Sequence, residues 1–237
     1  MSENTLERIT DKFPSNIEEI KSQILHILDL FEEHLTNHKL QYFYKKNIRS
    51  KQEVKIYVFS SSNIMHLIGI KAYKIVGNTN IHTVPKDPNS VTNAIRFYKD
   101  YLSNRIEWEN VWIDSPDYLI LKLEALKYLP NLKQYGVRLS EQFTLTNFYV
   151  DSVLQSKNAL AIGFYSSRES EEMIYCPRTS INLTKRTLDS ATHYIVTKII
   201  DYKKNADDSF SKLNTYNFTQ EIQQSNSKKK SKRKRHK

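Results

Sequence analysis

The chain has 237 residues, 39% of them apolar and 26% charged, and carries a net charge of +10. That length is ample for the hydrophobic core of one large domain, and no stretch approaches the roughly 18 uninterrupted apolar residues that a membrane helix needs. A single cysteine, Cys176, excludes an intrachain disulfide or a cysteine metal cluster, and the four glycines are too scattered for a phosphate-cradling loop.

The start of the chain is polar and does not read as a signal peptide, so a soluble, cytoplasmic protein is expected. Residues 1–14 read as loosely ordered. Ser15, with Glu18 three positions on, predicts a capping box. The apolar residues Ile17, Ile20, Ile24, Ile27, Leu28, Phe31 and Leu35 then recur at helical spacing. Two β-rich runs, Tyr42–Tyr44 and Val54–Phe59, flank a basic turn and predict a hairpin. Ser60 to Asn63 supply helix caps for a short turn, Ile64 to Ile70, that carries His66 and stops at Gly69. Residues 77–89 read as a loop. Ser90 begins a helix to about Leu102, and Ser115-Pro116-Asp117 begins another to about Tyr128. These form a helical insertion near 78–135.

After Gly136 the pattern changes to short strand-like runs: Phe143–Val150, Ala159–Tyr165, Met173–Ile181 and Thr192–Tyr202. Helices first and consecutive strands later predict an α+β domain over 15–204 with an antiparallel meander. Residues 205–237 read as a disordered tail. Its last ten residues hold eight Lys or Arg, which leaves the preceding 227 residues at only +2.

Several groups could carry chemistry. The tail cations Lys228, Lys229, Lys230, Lys232, Arg233, Lys234 and Arg235 suit a phosphate backbone without sequence preference. A solubilising tail or a transport signal is the plainer alternative. His66 sits in an apolar turn, where a histidine is more often a core residue. The functional alternative is a general acid or base, because imidazole titrates near neutral pH. Lys71 and Lys74 follow closely and could hold a phosphate. The segment Cys176-Pro177-Arg178-Thr179-Ser180 lies in an apparent strand, and its proline demands an edge or a bulge. Arg178 could grip a phosphate in two places, with Thr179 and Ser180 as hydrogen-bond donors. His193 and Lys198 lie on the next strand and could come beside Arg178. Cys176 is a poor nucleophile in an apolar strand. His34 and His38 have the spacing of a metal pair on a helix but no third ligand, so no metal and no cofactor are expected.

The run "SSNIMHLIGI" after the strand from Val54, then "LAIGFY", "MIYCPRTSINL" and "HYIVTKIIDYK", resembles the phage-associated barnase, EndoU, colicin and RelE-like nucleases, fourth group. The resemblance covers roughly residues 40–204 and does not account for the helical insertion. It implies N-terminal helices followed by a four-stranded antiparallel sheet. It also implies metal-independent RNA cleavage; a toxin or an effector of phage–host conflict is the setting such an activity suits, and a cognate antitoxin or immunity protein is then a candidate partner. In the matching segments His66, Arg178, Thr179 and Ser180 are the candidates for catalysis, while Lys71, Lys198 and the tail are candidates for RNA binding by their charge alone. A non-catalytic nucleic-acid-binding adaptor that uses the tail is the alternative.

Overall fold

The computed structural model describes residues 6–47, 49–74, 90–145, 148–169, 172–183 and 192–222. The tail cations Lys228 to Arg235 and the loop at 77–89 lie outside the described residues.

The first described residues form a short strand β1 (Glu7–Arg8) and a turn of helix α1 (Ile9–Lys12), whose Ile9 is fully buried. Helix α2 (Ile17–His34) buries the stripe Ile20, Ile24, Ile27, Leu28 and Phe31, as the helical spacing requires. Its N-cap is Asn16, not Ser15, and makes no side-chain cap bond. Strand β2 (His38–Lys45) alternates strictly, with His38, Leu40, Tyr42 and Tyr44 buried. It forms the expected hairpin with β3 (Glu53–Val58). A capping box at Ser60 and Asn63 leads into helix α3 (Ile64–Ile68), which Gly69 ends in a left-handed conformation, φ 101°. Then follow β4 (Ile70–Tyr73), α4 (Ser90–Leu102), β5 (Val111–Ile113) and α5 (Pro116–Leu126). The remaining strands are β6 (Arg138–Leu145), β7 (Phe148–Gln155), β8 (Leu160–Glu169), β9 (Glu172–Asn182), β10 (His193–Lys204) and β11 (Phe210–Asn217).

The expected four-stranded antiparallel sheet is not what forms. Eight strands join in the order β11-β10-β2-β3-β9-β8-β7-β6, and β6 also pairs with β10. Seven strands thereby close into a barrel, with β11 appended outside. The hairpin β2–β3 is the reason. It inserts between β10 and β9, so β3 runs parallel to β9 through Ile56↔Ile174 and Tyr57↔Tyr175. A second, three-stranded sheet has the order β1-β5-β4. The run Phe143–Val150, expected as one strand, spans parts of β6 and β7. The expected disordered tail does not begin at Asn205, because Phe210–Asn217 pairs along β10.

Side chains cross the barrel between strands that are not neighbours. The Tyr57 hydroxyl on β3 lies 2.6 Å from Ser152 Oγ on β7. Lys55 Nζ on β3 lies 2.9 Å from Glu141 Oε1 on β6. The Tyr57 ring packs edge-on to Phe164 at 4.6 Å and Tyr42 at 5.2 Å. One continuous core links these rings to α2, α3 and α5.

His34 and His38 are not a helical pair, because α2 ends at His34 and His38 begins β2. His38 instead joins a buried polar triad. Asp201 Oδ1 lies 2.6 Å from His38 Nδ1, and Asp201 Oδ2 accepts from Lys133 Nζ at 2.6 Å. Burial alone would push the Asp201 carboxyl up, but the bonds from His38 and Lys133 outweigh it and hold the carboxyl below the ordinary range.

Candidate active site

The site lies outside the barrel, where α3 and α5 pack on β9. At the proline the strand does what a proline in a sheet demands. Phe164 pairs with Pro177 and Gly163 with Thr179, so Arg178 is the extra residue of a bulge. Arg178 is exposed there and stacks its guanidinium over the Tyr165 ring at 5.0 Å.

Beyond the bulge, Ser180 and Asn182 continue the same face of β9 at two-residue spacing. Ser180 Oγ donates to the Leu67 carbonyl at 2.6 Å, and Asn182 Nδ2 donates to the Leu121 carbonyl at 3.0 Å. Leu67 follows His66 in the chain, and Leu121 precedes Lys122. One strand face thus fixes both the histidine turn and the helix opposite it.

The result is a cleft of about 250 Å³ lined by His66, Gly69, Ile70, Lys71, Tyr118, Lys122, Arg178 and Thr179. His66 is solvent-accessible beside the cleft while part of its side chain packs against the walls. Desolvation against the cleft walls, then the charges of Lys71 and Lys122, push its pKa below the ordinary imidazole value. Lys71 is exposed and pairs with Asp114 at 2.7 Å. Lys122 is 4% exposed. Its Nζ donates to the His66 carbonyl at 2.8 Å and lies 4.9 Å from the centroid of the Tyr118 ring. Burial, helped by the charge of Lys71 and opposed by Asp114, pushes its pKa down to about 7. Gly69 makes room for it: a Cβ there would stand 3.1 Å from Lys122 Cδ.

Four of the expected residues, His66, Lys71, Arg178 and Thr179, therefore share one cleft. Ser180 does not reach it, because its hydroxyl is buried against Leu67. Lys74 is held by Asp100 at 2.9 Å and Glu107 at 2.6 Å. The expectation that His193 and Lys198 come beside Arg178 is not met, because β10 pairs with β2, β6 and β11 and not with β9. Lys198 Nζ sits 3.8 Å from the Phe43 ring centroid, and His193 lines a different cleft with Arg138 and Ser156. Lys122 joins the cleft without being among the residues the sequence motifs single out. Its signal was present: Leu119, Lys122, Leu123 and Leu126 have the spacing of a buried helix face, so a lysine stood among core positions.

Among the described residues, no three His, Cys, Asp or Glu side chains gather as a metal site, and no helix is long and apolar enough to cross a membrane. The model of the phage-Barnase-EndoU-ColicinE5/D-RelE like nuclease 4 family matches residues 23–217. No curated protein and no solved structure matches the chain significantly.

Proposed function

The chain belongs to this family of nucleases, and we propose that it is a metal-independent endoribonuclease whose active site is the cleft between α3, α5 and β9. The observation that carries this reading is the gathering of His66, Lys71, Lys122 and Arg178 on one cleft, from segments far apart in the sequence. None of the lining residues is a carboxylate. Such a cleft suits a phosphodiester, whose charge in the transition state is met by fixed cations.

The chemistry begins at the RNA 2′-hydroxyl. His66 takes its proton, and the 2′-oxygen attacks the adjacent phosphorus. Arg178 and Lys71 offset the negative charge that develops on the phosphoryl oxygens, Arg178 through its planar fork. The 5′-oxygen leaves, and a 2′,3′-cyclic phosphate is left behind. The exposed rings of Tyr118 and Tyr165 beside the cations offer stacking surfaces for unpaired bases, which favours single-stranded RNA. The tail cations add affinity without sequence preference. A cytoplasmic effector of phage–host conflict, restrained by an antitoxin or immunity protein, is the setting this activity fits.

The test is cleavage of single-stranded RNA by purified protein in excess chelator, with end-group analysis and a 2′-deoxy substitution at the cut site. Cleavage with a cyclic phosphate product, blocked by the deoxy substitution, is expected. His66→Ala and Arg178→Ala should each lower the rate about a hundred- to ten-thousand-fold with the melting temperature kept, and Arg178→Lys should recover only part. Loss of activity in chelator, or full activity in His66→Ala, overturns the reading.

A further inference from the structure

The step that breaks the bond to the 5′-oxygen needs a proton donor, and on that proposed reaction we infer that Lys122 is the general acid and His66 the general base. Two features of the structure support this assignment, the second a consequence of the first. The first is construction. The Lys122 stem is buried along α5 and passes over Gly69, whose missing Cβ admits it. Its Nζ is held by a neutral group, the His66 carbonyl, at 2.8 Å. Asn182 fixes the carbonyl of Leu121 just before it, and Ser180 fixes that of Leu67 just after His66. The backbone on either side of both residues is thus anchored by the strand that also presents Arg178, and both side chains line the one cleft. A lysine kept only for charge would need no such burial, because Lys71 presents its ammonium, paired with Asp114, at the exposed edge of the same cleft.

The second is the order of proton affinities. Desolvation holds His66 below the usual imidazole value, while burial pushes Lys122 down to about 7. A base must begin neutral and an acid must begin protonated. With the base the more acidic of the two, a neutral imidazole beside an ammonium is the favoured arrangement of a single proton between them. The reverse assignment would need the minor form of both groups. In the step, a ring nitrogen of His66 accepts the 2′-hydroxyl proton as the 2′-oxygen bonds to phosphorus. The bond from phosphorus to the 5′-oxygen breaks, and the Lys122 ammonium gives that oxygen a proton. The products are a cyclic phosphate and a 5′-hydroxyl. His66 is left as imidazolium and Lys122 as neutral amine, and exchange with water restores both.

The experiment compares two substrates, an RNA with its natural 5′-oxygen and the same RNA with a bridging 5′-sulfur, whose thiolate leaves without a proton. With the parent protein, the pH–rate profile on RNA should fall above about pH 7, and that alkaline limb should vanish on the sulfur substrate. Lys122→Met should lose about a hundred- to ten-thousand-fold on RNA and be nearly unchanged on the sulfur substrate, which also certifies that the variant is folded. Lys122→Arg, which keeps the charge but cannot release a proton in this range, should behave like the methionine variant. Equal loss on both substrates makes Lys122 a charge stabiliser and overturns the assignment, as does full RNA cleavage by Lys122→Met. A parent protein that cuts neither substrate fails the endoribonuclease reading itself.

Discussion

Asp201→Asn tests the buried triad beneath α2. Asp201 and His38 are each about 1% exposed in their side chains, and Lys133 is 8% exposed. The carboxylate accepts two bonds of 2.6 Å, one of them from the Lys133 ammonium. Amide substitution keeps the shape and an acceptor for His38, but leaves the ammonium without its countercharge. Breaking a buried ion pair on one side costs about 3–5 kcal/mol, against a total stability on the order of 5–15 kcal/mol. At about 2–4 °C per kcal/mol for a chain of this size, the melting temperature should fall by roughly 6–20 °C. Because Asp201 is held below its ordinary range, its contribution is present above the unfolded carboxyl pKa of about 3.9 and is lost as pH falls through the folded value. Asp201→Asn should therefore flatten the acid limb of stability against pH. Adding Lys133→Met removes the stranded charge and should recover part of the loss. Urea titrations of the parent, both single variants and the double variant close the cycle. An Asp201→Asn protein within about 1 kcal/mol of the parent, or a double variant no better than the single, refutes the argument.

Two further outcomes follow from placement alone. Ile162 on β8 is fully buried, so Ile162→Asp should abolish cooperative folding, since an unpaired buried carboxylate costs several kcal/mol. A soluble variant with a sharp melting transition contradicts that position in the core. Deleting Ser227–Lys237 removes eight positive charges and should weaken binding to generic RNA and flatten its dependence on salt, with the melting temperature unchanged; affinity measured at two salt concentrations checks this, and equal affinity removes the tail from binding.

Local signals in the sequence were sound where one segment settles its own structure. The stripe of α2, the β2–β3 hairpin, the turn ended by Gly69 and the proline start of α5 all carry short-range causes. Barrel closure has no such cause. Alternation in β2 and β3 says that one face is buried, but not that β10 and β9 flank the hairpin. Strand β11 is polar and largely exposed, so it shows no period and reads as tail. In the site, a bulge is legible from Pro177, and Arg178 with it. Ser180 and Lys122 exchange the roles expected from composition: the hydroxyl is spent on a backbone carbonyl, while a lysine on an apolar helix face lines the cleft.

The closure of the barrel also sets a schedule for synthesis. His38 and Asp201 stand 163 positions apart, and Ser180 and Leu67 stand 113 apart. Pairings of such span form late, because a long loop must close before its contacts reward it. As the chain leaves the ribosome, α2, the hairpin and the His66 turn emerge first, while β9 and its bulge are still to be made. Neither the Arg178 wall nor the anchors of Leu67 and Leu121 exist at that stage. The cleft becomes whole only once about three-quarters of the chain has been translated, so any product truncated before β9 lacks it.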